Sequence, residues 1–595
     1  MTNYLKAFQL LTGKERRSGV LILGVVLIVA LFEATAVVSI VPFMSALGDR
    51  GMVETNRFMK LAYDRLGFGS VNDFLMFLGL ASFVLLMTAA VVRIGGAYAV
   101  TTYAQKLRHS IGMRLLETYM RQPYEFHLDR HSGDLTRALL SEVDQLIGNV
   151  YQPVANIVSR AFTLLLLVTV LVVYNPWIAL LAIAVLGGAY GVLYRIVSRF
   201  IDRIGRARML ANRARFETAV EALGGIKVIR LLGRERAYLE RFRKPSRDMS
   251  RYMAYDLVLG HVPKYLIEAL TFGGIIMLSV VLLGGTQPDE AGNILPVLGL
   301  YAFAGYRILP AIQQIYRAVM QMRFGAAGME IILADMNRRD RLVALPEAPA
   351  DPLPLHHNVG LRALSYGYPG GNGAGVADIT MDIPRGSSIG IVGTTGAGKT
   401  TLVDLILGLL APGSGHIEVD GQPLDAGTIR NWQANVGYVP QDIFLGDDTI
   451  TANIALGRGP DEIDLARVRE CARMAQIDRF IEDELPDAYD TRVGERGVRL
   501  SGGQKQRIGI ARALYHDPDV IVFDEATSAL DNQTERHVMA ALGALQGKKT
   551  VIMIAHRLTT VKKCDQIVLL DKGRKIAQGR FDELSETSAA FNLML

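Results

Sequence analysis

Leu500 to Asp531 reads LSGGQKQRIGIARALYHDPDVIVFDEATSALD, and no other stretch limits the fold so tightly. Val520 to Phe523 is an unbroken apolar run that ends in Asp524 and Glu525. Such a run suits a strand of a parallel sheet covered on both faces, which delivers two carboxylates to its C-terminal edge. Ser501-Gly502-Gly503-Gln504 stands ahead of a helical run that continues to Leu514, so backbone N–H groups at a helix N-terminus are available to an anion.

A second glycine-rich turn completes the pattern. Gly393, Thr394, Thr395, Gly396, Ala397, Gly398, Lys399 and Thr400 follow the apolar run Ile389 to Val392 and open a helix that begins with Thr400 and Thr401. Glycines let backbone N–H groups converge on phosphate oxygens, a lysine reaches the β and γ positions, and the Thr400 hydroxyl can hold Mg²⁺. The two stretches together resemble the phosphate loop, signature motif, Walker B strand and D-loop of ABC ATPases. The resemblance extends to Tyr368 as the aromatic that stacks on adenine, and to Gln441 in YVPQDIFL as the glutamine that senses Mg²⁺ or water. Val493 to Gly497 resembles the loop preceding the signature in exporters, and His556 the switch histidine near the γ-phosphate. ATP and Mg²⁺ are the implied cofactors. Asp524 would then bind Mg²⁺ through water, Glu525 would serve as general base and His556 would stabilise the transition state. In this family Ser501, Gly502, Gly503 and Gln504 of one protomer close over ATP held by Lys399 of another, so a homodimer with two equivalent sites is implied.

The N-terminal half has a different character. Half of all residues are hydrophobic while 21% are charged, so apolar and polar matter must be segregated, and the long apolar runs all precede about residue 320. Gly19–Leu47, Phe74–Ala99, Val154–Tyr174, Trp177–Val197, Leu257–Gly284 and Ile294–Met320 are six candidate spans. Arg195 to Asp256 carries sixteen Lys and Arg against seven Asp and Glu, which places that segment, the N-terminus and the ATPase half in the cytoplasm. The same rule accounts for the formal charge of +6 without nucleic acid. Cys471 and Cys564 are far apart in sequence and lack metal-site spacing.

The expected fold is a multidomain membrane protein: an all-α six-helix transmembrane domain over residues 1–330, a linker at 331–354, and an α/β P-loop NTPase over residues 355–595. Gln122 to Leu146 and Glu217 to Glu235 resemble the intracellular loops of type IV ABC exporters, whose coupling helices dock on the ATPase domains. A short interfacial helix outside the membrane is expected within Gly48 to Asn72, with Phe58, Leu61, Ala62 and Leu66 on one face and Lys60, Asp64 and Arg65 on the other, the alternative being a merely capped loop.

Ionisable residues inside spans mark pathways. At 1.5 Å per residue, Arg307 lies roughly 20 Å and Arg93 roughly 28 Å from the outer ends of their spans, and Glu33, Lys264 and Glu268 fall at comparable depth. Arg307, Arg93 and Lys264 are candidate contacts for an anionic headgroup entering from the inner leaflet, with Arg suited to bidentate phosphate binding. The structural alternative is Arg–Glu pairing between helices, or a snorkelling Arg93. The Gly305–Pro310 run and the loop around HLDRHSGDL also resemble flippases of polyprenyl-pyrophosphate-linked oligosaccharides, bacterial inner-membrane proteins. Export of other lipids, drugs or peptides by the same architecture is the competing reading. An ATP-gated channel would differ by ion flux in excess of ATP turnover.

Overall fold

The computed structural model describes residues 7–48, 50–174, 176–285, 294–338, 342–345, 350–368, 374–494, 497–525, 543, 545, 547–555 and 557–594. The chain divides into two compact units, one formed by Met1–Gln122 with Phe126–Val343, the other by Pro123–Glu125 with Ala344–Leu595.

The first unit is helical. Its main helices are α1 (Gly13–Val38), α2 (Ile40–Gly48), α3 (Arg57–Leu66), α4 (Val71–Met120), α5 (Gln152–Tyr174), α6 (Pro176–Gly224), α7 (Glu235–Gly285) and α8 (Ile294–Met336). Among the described residues, Gly13–Ala36 and Val71–Met120 are long and apolar enough to cross a bilayer. The first expected span is interrupted at Ser39, three residues before Pro42, whose ring and missing N–H oppose a continuous helix. Helix α8 runs to Met336, so 331–336, expected in the linker, is helical.

Helix α3 forms where amphipathic periodicity predicts it. Asn56 caps its N-terminus by accepting from Phe58 and Met59, and Gly67 ends it in a left-handed conformation. Met59 is buried with Val53, Phe74 and Leu75, and Ala62 and Tyr63 pack against that cluster, while Phe58, Leu61 and Leu66 are exposed. Tyr63 meets Phe74 in a T-shaped contact with ring centroids 5.5 Å apart.

Further along this unit, Arg137, Glu142 and Arg208 are buried together. Arg137 donates to Glu142 Oε1 at 3.0 Å, and Arg208, which stacks over Phe324, donates to Oε2 at 3.5 Å. Gly205 lets α6 approach the Phe324 backbone of α8, since a Cβ there would lie 2.6 Å from the Phe324 carbonyl oxygen.

The second unit contains two sheets. A four-stranded antiparallel sheet has the order β2-β1-β4-β5, with β1 (Asn358–Gly367), β2 (Ala374–Pro384), β4 (Ser414–Val419) and β5 (Gln422–Pro423). A six-stranded sheet has the order β10-β9-β3-β8-β7-β6 and is parallel except for the edge strand β10. Its strands are β3 (Ser388–Gly393), β6 (Val436–Val439), β7 (Val520–Asp524), β8 (Thr550–Ile554), β9 (Gln566–Asp571) and β10 (Arg574–Gly579). Ile521 and Phe523 of β7 enter one apolar cluster, whereas Val520 and Val522 enter another on the opposite face. Burial on both sides explains why β7 is continuously apolar.

Breaking the Glu142 ion pairs would strand buried guanidinium groups. Glu142→Ala is expected to destabilise the first unit by about 3 kcal/mol, read as a lower melting temperature of the purified protein in detergent.

Candidate nucleotide site

The parallel sheet determines which residues can meet. Strands β3, β8 and β7 are adjacent and parallel, so the loop leaving β3 and the carboxylates ending β7 share one sheet edge. The loop passes directly into α9 (Lys399–Ile406). Gly398 takes a left-handed conformation at φ 94°, which L side chains rarely adopt. A side chain there would also strike the carbonyl of Gly375.

Lys399 is 6% exposed and donates to the carbonyls of Gly393 at 2.9 Å and Thr394 at 3.1 Å, so its ammonium is held over the loop. Burial lowers its pKa, while Glu525 and Asp524 oppose that shift. Thr394, Thr395, Gly396 and Thr400 are exposed, whereas Ala397 and Thr401 are buried. Tyr368 shares a hydrogen bond with Thr401 Oγ1 at 3.1 Å and meets Tyr366 edge to face at 5.1 Å, which fixes its ring beside the loop.

Asp524 is 8% exposed at the end of β7. Glu525 follows with φ 49°, a strained conformation for a residue with a Cβ, and its N–H donates to the Ile554 carbonyl. Strain of this kind re-aims the Glu525 side chain away from the strand path. Gln441 Nε2 donates to Glu525 Oε2 at 2.9 Å, which joins two expected site residues directly. Tyr438 donates to Asp524 Oδ2 at 3.3 Å. This tyrosine was not among the expected site residues; its signal was a polar aromatic inside an apolar strand three residues before Gln441. Asp524, Thr400 and Gln441 each carry an oxygen donor, the type that suits a small hard cation such as Mg²⁺.

The signature segment opens helix α10 (Gly502–Tyr515). Ser501 Oγ accepts from the Gln504 N–H at 3.3 Å, and Gln504 Oε1 accepts from the Ser501 N–H at 2.7 Å. Ser501 and Gly502 are exposed and Gly503 is buried. His556, Ala526 to Asp531, and Glu495 with Arg496 lie outside the described residues.

In the first unit, Arg160 joins three helices beside Arg93, one of the candidate headgroup residues. From α5 it donates to Glu33 Oε2 of α1 at 2.9 Å and to Gln314 Oε1 of α8 at 2.6 Å, while Arg93 of α4 stands 3.7 Å from Glu33 Oε1. Both arginines line a cavity of about 150 Å³, together with Thr101, Gln152, Asn156 and Ser159. The Arg–Glu pairing weighed for Arg93 is therefore present, with a second arginine that periodicity gave no means of selecting. Lys264 stands apart: its described ion pair is with Glu268, 3.9 Å away on its own helix. The Arg307 side chain lies outside the described residues.

A glycine-rich loop entering a helix beside a doubly buried strand that ends in paired carboxylates defines a P-loop ATPase, here joined to a unit of long helices. Known proteins agree with that class. A family model described as "ABC transporter transmembrane region" matches residues 21–260, and one described as "ABC transporter" matches residues 376–528. An ATP-dependent lipid A-core flippase of Ralstonia nicotianae is 30% identical over 509 residues, which covers 84% of each protein. That of Cupriavidus pinatubonensis is 29% identical over 502 residues, or 83% of each. A solved structure of a bacterial Atm1-family ABC exporter with ATP bound matches with TM-score 0.77 and 25% identity over 97% of both chains. The chain belongs to the ABC transporter family, as an exporter half-transporter in which a transmembrane domain precedes the ATPase domain. It is a membrane protein that binds ATP and couples its hydrolysis to transport.

The Gln441–Glu525 hydrogen bond leads to a direct test. Glu525→Gln keeps the shape of the site and removes its carboxylate charge, so hydrolysis is expected to fall to a few percent of wild type or less while ATP still binds. Phosphate release alongside binding of a fluorescent ATP analogue measures both.

Proposed function

We propose that this exporter moves an amphipathic anionic lipid with a phosphate-bearing headgroup from the inner to the outer leaflet. The observation that carries this reading is the Glu33–Arg93–Arg160–Gln314 cluster beside its cavity. Two arginines share one carboxylate, so the cluster keeps a formal charge of +1. Within a membrane such a surplus is costly unless it meets water or an anion, and guanidinium groups suit phosphate oxygens in bidentate geometry. A headgroup of this kind cannot cross hydrocarbon unaided, because its charges would lose their hydration.

The finer reading is a polyprenyl-pyrophosphate-linked oligosaccharide, supported by the charge of Arg93 and Arg160 and by the Gly305–Pro310 run that contains Arg307. Lys264, engaged by Glu268, supports it less. A second reading, a glycolipid of the lipid A-core type, is favoured by the relatives named for that activity. Both substrates present phosphate at the membrane surface, so one cluster serves either.

At the ATP site, Tyr368 would stack on adenine, the loop from Gly393 to Thr401 would bind the phosphates, and Lys399 would reach the β and γ positions. Thr400, Gln441 and Asp524 would hold Mg²⁺, which when bound draws charge from the β–γ bridge. Glu525, steadied by Gln441, would take a proton from the attacking water, and His556 would stabilise the transition state. Ser501 to Gln504 would complete the site of a second copy, making the working unit a homodimer. Six spans per chain would cross the bacterial inner membrane, with the N-terminus and ATPase domain cytoplasmic.

The experiment is flipping in proteoliposomes, with a fluorescent polyprenyl-pyrophosphate oligosaccharide and a lipid A-core glycolipid in parallel. Arg160→Ala is expected to slow the accepted substrate about tenfold, the loss of one charge-assisted phosphate contact. Unchanged flipping of both lipids would overturn the reading, and a rate that differs between them identifies the headgroup.

A further inference from the structure

Tyr438 lies in β6, where its neighbours Val436, Gly437 and Val439 are not polar. Strand β6 pairs with β7 so that Tyr438 is opposite Val522. Asp524 is two residues beyond Val522, on the same face of the sheet, which makes Tyr438 and Asp524 diagonal cross-strand neighbours. The tyrosine hydroxyl uses that placement, donating to Asp524 Oδ2 at 3.3 Å. A half-buried tyrosine needs a partner for its O–H, and a phenylalanine would fill the same apolar space without one.

We infer that Tyr438 is a positioning residue for the nucleotide-associated cation: its hydroxyl fixes the rotation of the Asp524 carboxylate so that Asp524 meets Mg²⁺ in one orientation. This inference rests on the proposed role of Asp524 as the Mg²⁺-binding carboxylate. Tyr438 acts only through Asp524 and has no part in holding the adenine or the phosphates. Its loss should weaken the effect of the cation on nucleotide binding without weakening nucleotide binding itself.

The test compares wild type, Tyr438→Phe and Asp524→Asn as full-length proteins in detergent. A fluorescent ATP analogue is titrated in EDTA and then at increasing Mg²⁺, with the electron paramagnetic resonance spectrum of Mn²⁺ and ATP as a second readout. Tyr438→Phe is expected to raise the Mg²⁺ concentration for half-maximal enhancement of binding about fivefold. Its affinity for the analogue in EDTA should stay within about twofold of wild type, and the Mn²⁺ spectrum should broaden. An unchanged Mg²⁺ midpoint in Tyr438→Phe, with the Mg²⁺ response lost in Asp524→Asn, would overturn the role of Tyr438 alone. A parallel loss of affinity in EDTA would make the hydroxyl merely structural and also overturn it. A full Mg²⁺ response in Asp524→Asn would overturn the role of Asp524, and the inference with it.

Discussion

A strand covered on both faces can carry charge only where it leaves the sheet. Strands β7 and β8 are buried throughout, and alternate β7 side chains enter two separate apolar clusters. Asp524 and Glu525 are therefore confined to one edge, and parallel pairing brings the phosphate loop after β3 to the same edge. The remaining nucleotide-site contacts depend on that confinement. Gln441 reaches Glu525 and Tyr438 reaches Asp524 because the sheet lines up strands that are far apart in the chain. The apolar core decides where chemistry can occur, and hydrogen bonds then set the orientation of each group.

The helical unit handles buried charge in two contrasting ways. Glu142 is matched by two arginines and all three side chains are buried, an arrangement suited to holding helices in register. Glu33 is also shared by two arginines, yet there a cavity adjoins them and Arg93 is largely exposed. The same residue types thus form a structural clasp in one place and an electropositive surface in the other. Access to space, rather than the identity of the ion pair, separates them.

The nucleotide site was largely legible in the sequence because each part is a local pattern: a glycine-rich turn between strand and helix, an apolar run ending in two acids, a capped helix start. Gln441 and Glu525 were each recognisable in this way, but their hydrogen bond spans 84 positions and needed the fold. Arg160 escaped notice because one arginine near the start of an apolar helix looks like an anchoring residue until Glu33 and Gln314 are seen around it. Periodicity shows that α3 is amphipathic, while the packing of Met59 and Tyr63 against Phe74 and Phe68 was visible only in the fold.

The sequence by itself determined that helices and a parallel sheet would form, that the chain is an ATP-driven machine anchored by long apolar segments, and which glycine-rich turn and paired acids are the candidates for its phosphate chemistry. These properties follow from short-range spacing, where hydrophobic period and turn chemistry act within a few residues. Only the tertiary structure decided the partners of Glu33 and Glu142, the hydrogen bond of Tyr438 to Asp524 and the grouping of Arg93 with Arg160. Those depend on contacts between segments remote in sequence, for which a linear pattern carries no distance.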